Sequence, residues 1–168
     1  SCMLIYAQKI NINETLLTET HSWDLEYIEL FENYTLCKWR VTSICPDTYV
    51  YMTKDAYLED ALTGKKYSAI DVEGIPYEPE WKIIEKQYEY VDFIVRFEPL
   101  SKDVEKIHYI SSSSFQIRDM VLIKVDPNPE MLVELLNKAE QYKKVGNNKA
   151  EIEIYKRIAE TIPNVGIA

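Results

Sequence analysis

Strict period-two alternation is what most constrains this chain. In Tyr34–Val41, Cys37, Trp39 and Val41 fall on one side of an extended backbone while Lys38 and Arg40 fall on the other. In Glu89–Phe97, Val91, Phe93, Val95 and Phe97 share a face in the same way. Such runs bury one side and wet the other, so they require a sheet over a core. Shorter strand runs surround them: Ile10–Asn13 with Leu16–Thr18, Leu25–Phe31, Tyr49–Met52, Ala56–Asp60, Tyr67–Val72, Ile107–Ile110 and Phe115–Val121. Turn signals separate them, notably Glu32-Asn33, Cys45-Pro46-Asp47, Thr63-Gly64-Lys65 and Gly74-Ile75-Pro76. Short antiparallel strands with little room for helix predict a mainly β fold, an immunoglobulin-like β-sandwich over residues 10–125.

The grammar changes after residue 125. Asp126-Pro127-Asn128-Pro129-Glu130 reads as a stop and a helix start, with Asn128 as N-cap and Pro129 at the first helical position. Met131, Leu132, Leu135, Leu136, Ala139 and Tyr142 make one apolar stripe. Gly146-Asn147-Asn148 closes that helix and opens a second, in which Ala150, Ile154, Tyr155, Ile158, Ala159 and Ile162 again lie on one side until Pro163. A C-terminal α-helical hairpin over residues 126–168 is therefore expected. Two readings stand for residues 1–9, where Cys2-Met3-Leu4-Ile5-Tyr6-Ala7 precedes Gln8-Lys9. They are the remnant of a signal peptide, ending at a small residue, or a hydrophobic first strand.

Composition narrows function more than it names one. At 168 residues and 46% hydrophobic, the chain is long enough for one core and an appendage. Thirteen tyrosines against four phenylalanines suit half-buried sheet faces, where a ring packs and its hydroxyl stays wet. A net charge of -9 disfavours nucleic acid and an anionic membrane surface, both of which need a positive field. No apolar stretch reaches bilayer-spanning length. Cys37 and Cys45 would lie roughly 25 Å apart along a strand, too far for a disulfide. With Cys2, three cysteines and two histidines indicate neither a disulfide framework nor a zinc site. No cofactor or metal is expected.

The turn and strand-end residues carry a family resemblance. Met52-Thr53-Lys54-Asp55-Ala56-Tyr57-Leu58, Thr63-Gly64-Lys65-Lys66-Tyr67, Val72-Glu73-Gly74-Ile75, Trp81 and Val95-Arg96-Phe97-Glu98-Pro99-Leu100, with Phe115-Gln116-Ile117-Arg118 as a closing strand, resemble a β-sandwich domain of secreted multidomain proteins of Gram-negative gut anaerobes. The resemblance covers about residues 25–122. It implies a periplasmic or cell-surface location, an N-terminal accessory role ahead of other segments, and no catalytic residues. The helical hairpin is similar to a single tetratricopeptide repeat through Leu135, Ala139, Tyr142, Gly146, Tyr155 and Pro163, departing at Glu151 and Ile158. It either docks on the sandwich, the preferred reading, or begins a repeat array, because a lone repeat cannot bury both faces.

Candidate chemistry is sparse. Cys45 and His108 are the one nucleophile-base pair available, yet neither lies in a motif, and His108 reads as an outward-facing strand residue. His21 beside Trp23 and Asp24 is one imidazole without a ligand set. Glu73, Glu78, Glu80 and Asp92 offer carboxylates for acid–base work, but read as a solvated rim. Ser111–Ser114 lack the glycine frame of a nucleophile elbow and read as a polar loop. The loop from Gly74 to Lys86 holds Tyr77 and Trp81 in a connection too polar for a buried strand, the usual material of a contact site. The preferred reading, however, is that Trp81 folds back as a lid over the sandwich end. The expected function is a non-catalytic extracytoplasmic module that binds a protein partner or a downstream domain of its own chain. Glycan binding and an accessory role in a hydrolase are the alternatives.

Overall fold

A computed structural model describes residues 8–122 and 129–161. The expectations for residues 1–7, for Asp126–Asn128 and for Ile162 and Pro163 lie outside the described residues. The chain divides into two compact units, residues 1–122 and 123–168. The first is built of strands: β1 (Gln8–Leu17), β2 (His21–Leu30), β3 (Thr35–Ser43), β4 (Thr48–Val50), β5 (Tyr57–Asp60), β6 (Lys66–Glu73), β7 (Lys82–Ile84), β8 (Tyr90–Phe97), β9 (Lys106–Ile110) and β10 (Gln116–Val121). The second holds α1 (Pro129–Lys144) and α2 (Asn148–Thr161), which pack against each other.

Eight strands form one antiparallel sheet in the order β1-β2-β3-β8-β6-β5-β9-β10, and β4 pairs only with β7. The mainly β character and the helical pair agree with the sequence. The sheet itself is barrel-like, in place of the two separate sheets expected of an immunoglobulin-like sandwich. Strand β6 explains the difference: Lys66–Ser68 pair with β5, whereas Ala69–Glu73 pair with β8, and the register slips between Ala69 and Asp71. A strand with a bulge at its middle can turn a corner and serve both halves, so the sheet continues through it. The outer strands β1 and β10 approach each other at the far side.

Alternation sets the core as the sequence predicts. Cys37, Trp39 and Val41 of β3 are fully buried, and Phe93, Val95 and Phe97 of β8 lie beside them. Trp39 stacks parallel to Phe93 at 6.0 Å and meets Tyr109 edge-on at 4.9 Å, which makes it the centre of an aromatic interior. Two bulges place non-glycine residues at positive φ, Asn13 in β1 at 54° and Asp119 in β10 at 57°. Asn and Asp tolerate that backbone better than other side chains. At the second bulge the freed N–H of Asp119 donates to Nδ1 of His108 at 3.0 Å. His108 keeps the outer face that alternation assigns it, opposite Glu59, but it is buried there because the bulge covers its ring.

In the helical unit, Gly146 sits at φ 73°, its N–H donates to the Lys143 carbonyl at 3.1 Å, and the next N–H, of Asn147, reaches the Tyr142 carbonyl at 2.9 Å. This is a Schellman closure of α1. Asn147 then caps α2 by accepting from the Ala150 N–H at 3.3 Å. Among the described side chains of the two predicted stripes, Ala139 and Ile154 are buried, while Leu136, Tyr142 and Tyr155 remain exposed.

Candidate functional site: an exposed aromatic ribbon

The segment expected to be a loop contains a strand. Tyr49 faces Ile83, and Thr48 and Val50 face Ile84 and Lys82, in the small β4–β7 ribbon. Period two then sorts the side chains. Thr48, Val50 and Ile84 point inward and are buried, and Val50 and Ile84 belong to the core. The other face carries Tyr49 (54% exposed), Tyr51 (47%), Trp81 (58%) and Ile83 (48%). Trp81 therefore does not fold back as a lid. Its indole stands edge-to-face on Tyr49, with centroids 5.8 Å apart and planes 84° to one another.

Backbone hydrogen bonds fix this ribbon from both ends. The Met52 N–H donates to the Pro76 carbonyl at 2.9 Å, and the Glu78 N–H returns to the Met52 carbonyl at 3.0 Å. At the opposite end the Asp47 N–H donates to the Glu85 carbonyl at 3.1 Å. Tyr77, the second predicted contact residue, is half-buried and packs against the core, and burial raises the pKa of its hydroxyl. It anchors the segment, whereas Trp81 presents it. Gly74 allows the segment to start: at φ +103° its bare Cα lies against the Asp92–Phe93 backbone of β8. The charge around the exposed face is acidic. Asp47, Glu78, Glu80, Glu85 and Glu89 are all exposed, against Lys82 and Lys86.

Of the carboxylates proposed for acid–base work, Asp92 and Glu73 are placed elsewhere and are held by cations. Asp92 on the outer face of β8 accepts from Arg40 Nε at 2.8 Å and from its second nitrogen at 3.1 Å, and from Lys38 Nζ at 3.0 Å. The Arg40 hydrogen bonds, against the opposing effect of burial, draw the Asp92 carboxyl down to about 2. Glu73 accepts from Arg96 at 2.9 Å, which also binds Asp71. Asp92 and Glu73 do share the rim of one shallow depression, with Lys38 and Gly74. A carboxyl held ionised at pH 7 cannot serve as the proton donor that such a pair requires. Glu78 and Glu80 stay exposed in the ribbon approach.

The remaining candidates have other partners. The Cys45 carbonyl accepts from the Ser43 hydroxyl, and Cys45 itself is half-exposed, while His108 is engaged at the β10 bulge. His21 begins β2, buried, with Nδ1 2.8 Å from the Thr20 hydroxyl and its ring 5.5 Å from Trp23; burial lowers its pKa. Among the described residues no group of three or more His, Cys, Asp or Glu could hold a metal ion, and no helix is long and apolar enough to cross a membrane. Ser111 to Ser114 form the polar β9–β10 turn, with Phe115 N–H donating to the Ser112 hydroxyl at 3.1 Å.

Comparison of the chain with protein-family models, curated proteins and solved structures finds no match. Function has to be argued from the ribbon itself. Sequence reasoning found Trp81 but missed Tyr49, Tyr51 and Ile83. The available signal was the shared parity of Tyr49 with Tyr51 and of Trp81 with Ile83, which becomes informative once the two segments are paired.

Proposed function

We propose that the chain is a non-catalytic, extracytoplasmic interaction module whose contact surface is the outer face of the β4–β7 ribbon. One observation carries this reading: Tyr49, Tyr51, Trp81 and Ile83 stand together in solvent on a ribbon whose other face is locked into the core. Large rings that are both exposed and preorganised supply contact area with little ordering cost, the property of binding anchors. The extracytoplasmic placement and the kinship with the secreted sandwich domain rest on the sequence resemblance. Strand β6, shared by two sheet halves, is compatible with a sandwich drawn into a barrel-like form.

The partner in this reading is a protein, or another domain of a longer chain. An indole face also suits a sugar ring, which supports glycan binding as the second reading. The 84° angle between Trp81 and Tyr49 weighs against it, because an extended glycan needs rings in a common plane and this pair forms a corner.

A photo-crosslinking amino acid placed at position 81 and expressed in the native host tests the proposal. A discrete protein adduct that is absent from the same probe at position 62, where Leu62 is 91% exposed on another turn, is expected. Equal yields at both positions refute a dedicated contact face. A glycan array signal that disappears in Trp81→Ala replaces the protein reading with the sugar one.

A further inference from the structure

Six of the ten described tyrosines of the sheet unit carry a cation over the ring. Tyr27, Tyr34, Tyr57, Tyr67, Tyr77 and Tyr90 each have a lysine or arginine of the same chain over the ring, at 3.9 to 6.0 Å. Capping by a cation is thus common on this surface, although Tyr88, 70% exposed, also lacks one among the described residues. Among the described residues no such cation lies over Tyr49, Tyr51 or Trp81, although all three are about half exposed. These uncapped rings are neighbours on one face, and Glu80 adjoins Trp81 while Glu78 and Glu85 flank the ribbon.

We infer that the Tyr49–Trp81 corner is a receptor for an arginine side chain presented by the protein partner. This deepens the contact-face reading and rests on it. The edge-to-face pair leaves a right-angled notch walled by the indole and phenol faces. A guanidinium is planar and weakly hydrated, so it can stack on one wall while its edge N–H groups reach toward a carboxylate. The exposed acidic residues outnumber the lysines around the ribbon, which gives the complementary field. The rigid ribbon holds the notch open before the partner arrives. Within the chain itself the same chemistry is already in use, since Arg40 stacks on Tyr90 at 3.9 Å while binding Asp92.

The test is an NMR titration of the 15N-labelled chain with the dipeptide Ac-Arg-Arg-NH2, beside the isosteric citrulline dipeptide, each to tens of millimolar. The Trp81 indole N–H, assigned through Trp81→Leu, should shift with the arginine peptide. Replacing guanidinium by the neutral urea group should weaken binding about fivefold, the worth of one exposed cation–π contact. Glu80→Gln and added salt should each weaken it further, while Trp81→Leu keeps a dispersed spectrum and abolishes the response at the ribbon. Equal affinities for the two peptides, or no shift at the Trp81 indole, overturn the inference. In that event a cross-link still formed from position 81 would leave the contact face standing, whereas loss of that cross-link would remove both.

Discussion

Gly74→Ala puts the seating of the ribbon on β8 to a quantitative test. At φ +103° the residue occupies backbone space that side chains rarely enter, and a Cβ there would lie 2.5 Å from the Asp92 carbonyl oxygen and 2.9 Å from Cα and Cβ of Phe93. Ordinary carbon–oxygen contacts begin at about 3.3 Å. Strand β8 cannot withdraw, because it is hydrogen-bonded to β3 on one side and β6 on the other. The backbone conformation alone costs about 1–3 kcal/mol and relief of the overlap a similar amount, together about 2–6 kcal/mol. For a unit of this size that lowers the melting temperature by at least about 6 °C. Gly64→Ala is the internal control: it also has positive φ, at +76°, but nothing lies within 4 Å of its Cβ position. Only the conformational cost of about 1–2 kcal/mol should remain there. Urea melts followed by tryptophan fluorescence and far-ultraviolet circular dichroism give both values. If Gly74→Ala costs no more than Gly64→Ala, close backbone approach is not what seats the segment.

Three further expectations follow from burial and charge. Trp39→Ala should cost about 3–5 kcal/mol and Trp81→Ala less than about 1 kcal/mol by urea denaturation, since one ring is fully buried and the other mostly solvated; similar losses would contradict the placement of Trp81. Asp92 titrates near 2 in the folded chain against an ordinary 3.8, so the unfolded chain binds more protons between those values. Its stabilisation is therefore complete above the ordinary value and is lost as pH falls through 3.8 toward about 2. The stability difference between wild type and Asp92→Asn should shrink over that window, and a difference independent of pH would refute the Arg40–Lys38 account. Burial raises the Cys37 thiol pKa strongly and hides the sulfur, whereas Cys45 is half-exposed. Iodoacetamide followed by peptide mapping should label Cys45 in the folded chain and Cys37 only after denaturation. Labelling of native Cys37 would show that β3 opens.

The alternating runs made β3 and β8 legible because each buries one complete face, and the same parity located Trp39 in the core. Closure of the sheet was not legible. It depends on a bulge within β6 and on β1 meeting β10, neither of which leaves a periodic signal. His108 shows the same limit from another side. Alternation places it correctly on the outer face, but not its burial there, which comes from the Asp119 backbone N–H that donates to its ring. The predicted strand starts at Leu25 whereas β2 begins at His21, because polar residues mask its start.

Half of the ribbon was legible, since the predicted run Tyr49–Met52 overlaps β4, but β7 was hidden for a different reason, and that reason bears on the ribbon's role. Strand β7 is three residues long, too short to show a period, and its Ile84 is apolar in the core while Ile83 is apolar in solvent. In a sheet made only for stability, the solvent face takes Lys, Glu and Thr, as Lys38, Arg40 and Asp92 do across β3 and β8. Tyr49, Tyr51, Trp81 and Ile83 break that rule together, at one place and on paired strands. Burial cannot account for them, because they are not buried. Scattered single exposed rings need no explanation, but four apolar side chains on one face of a pinned ribbon, bordered by carboxylates, are the composition that the proposed contact face requires.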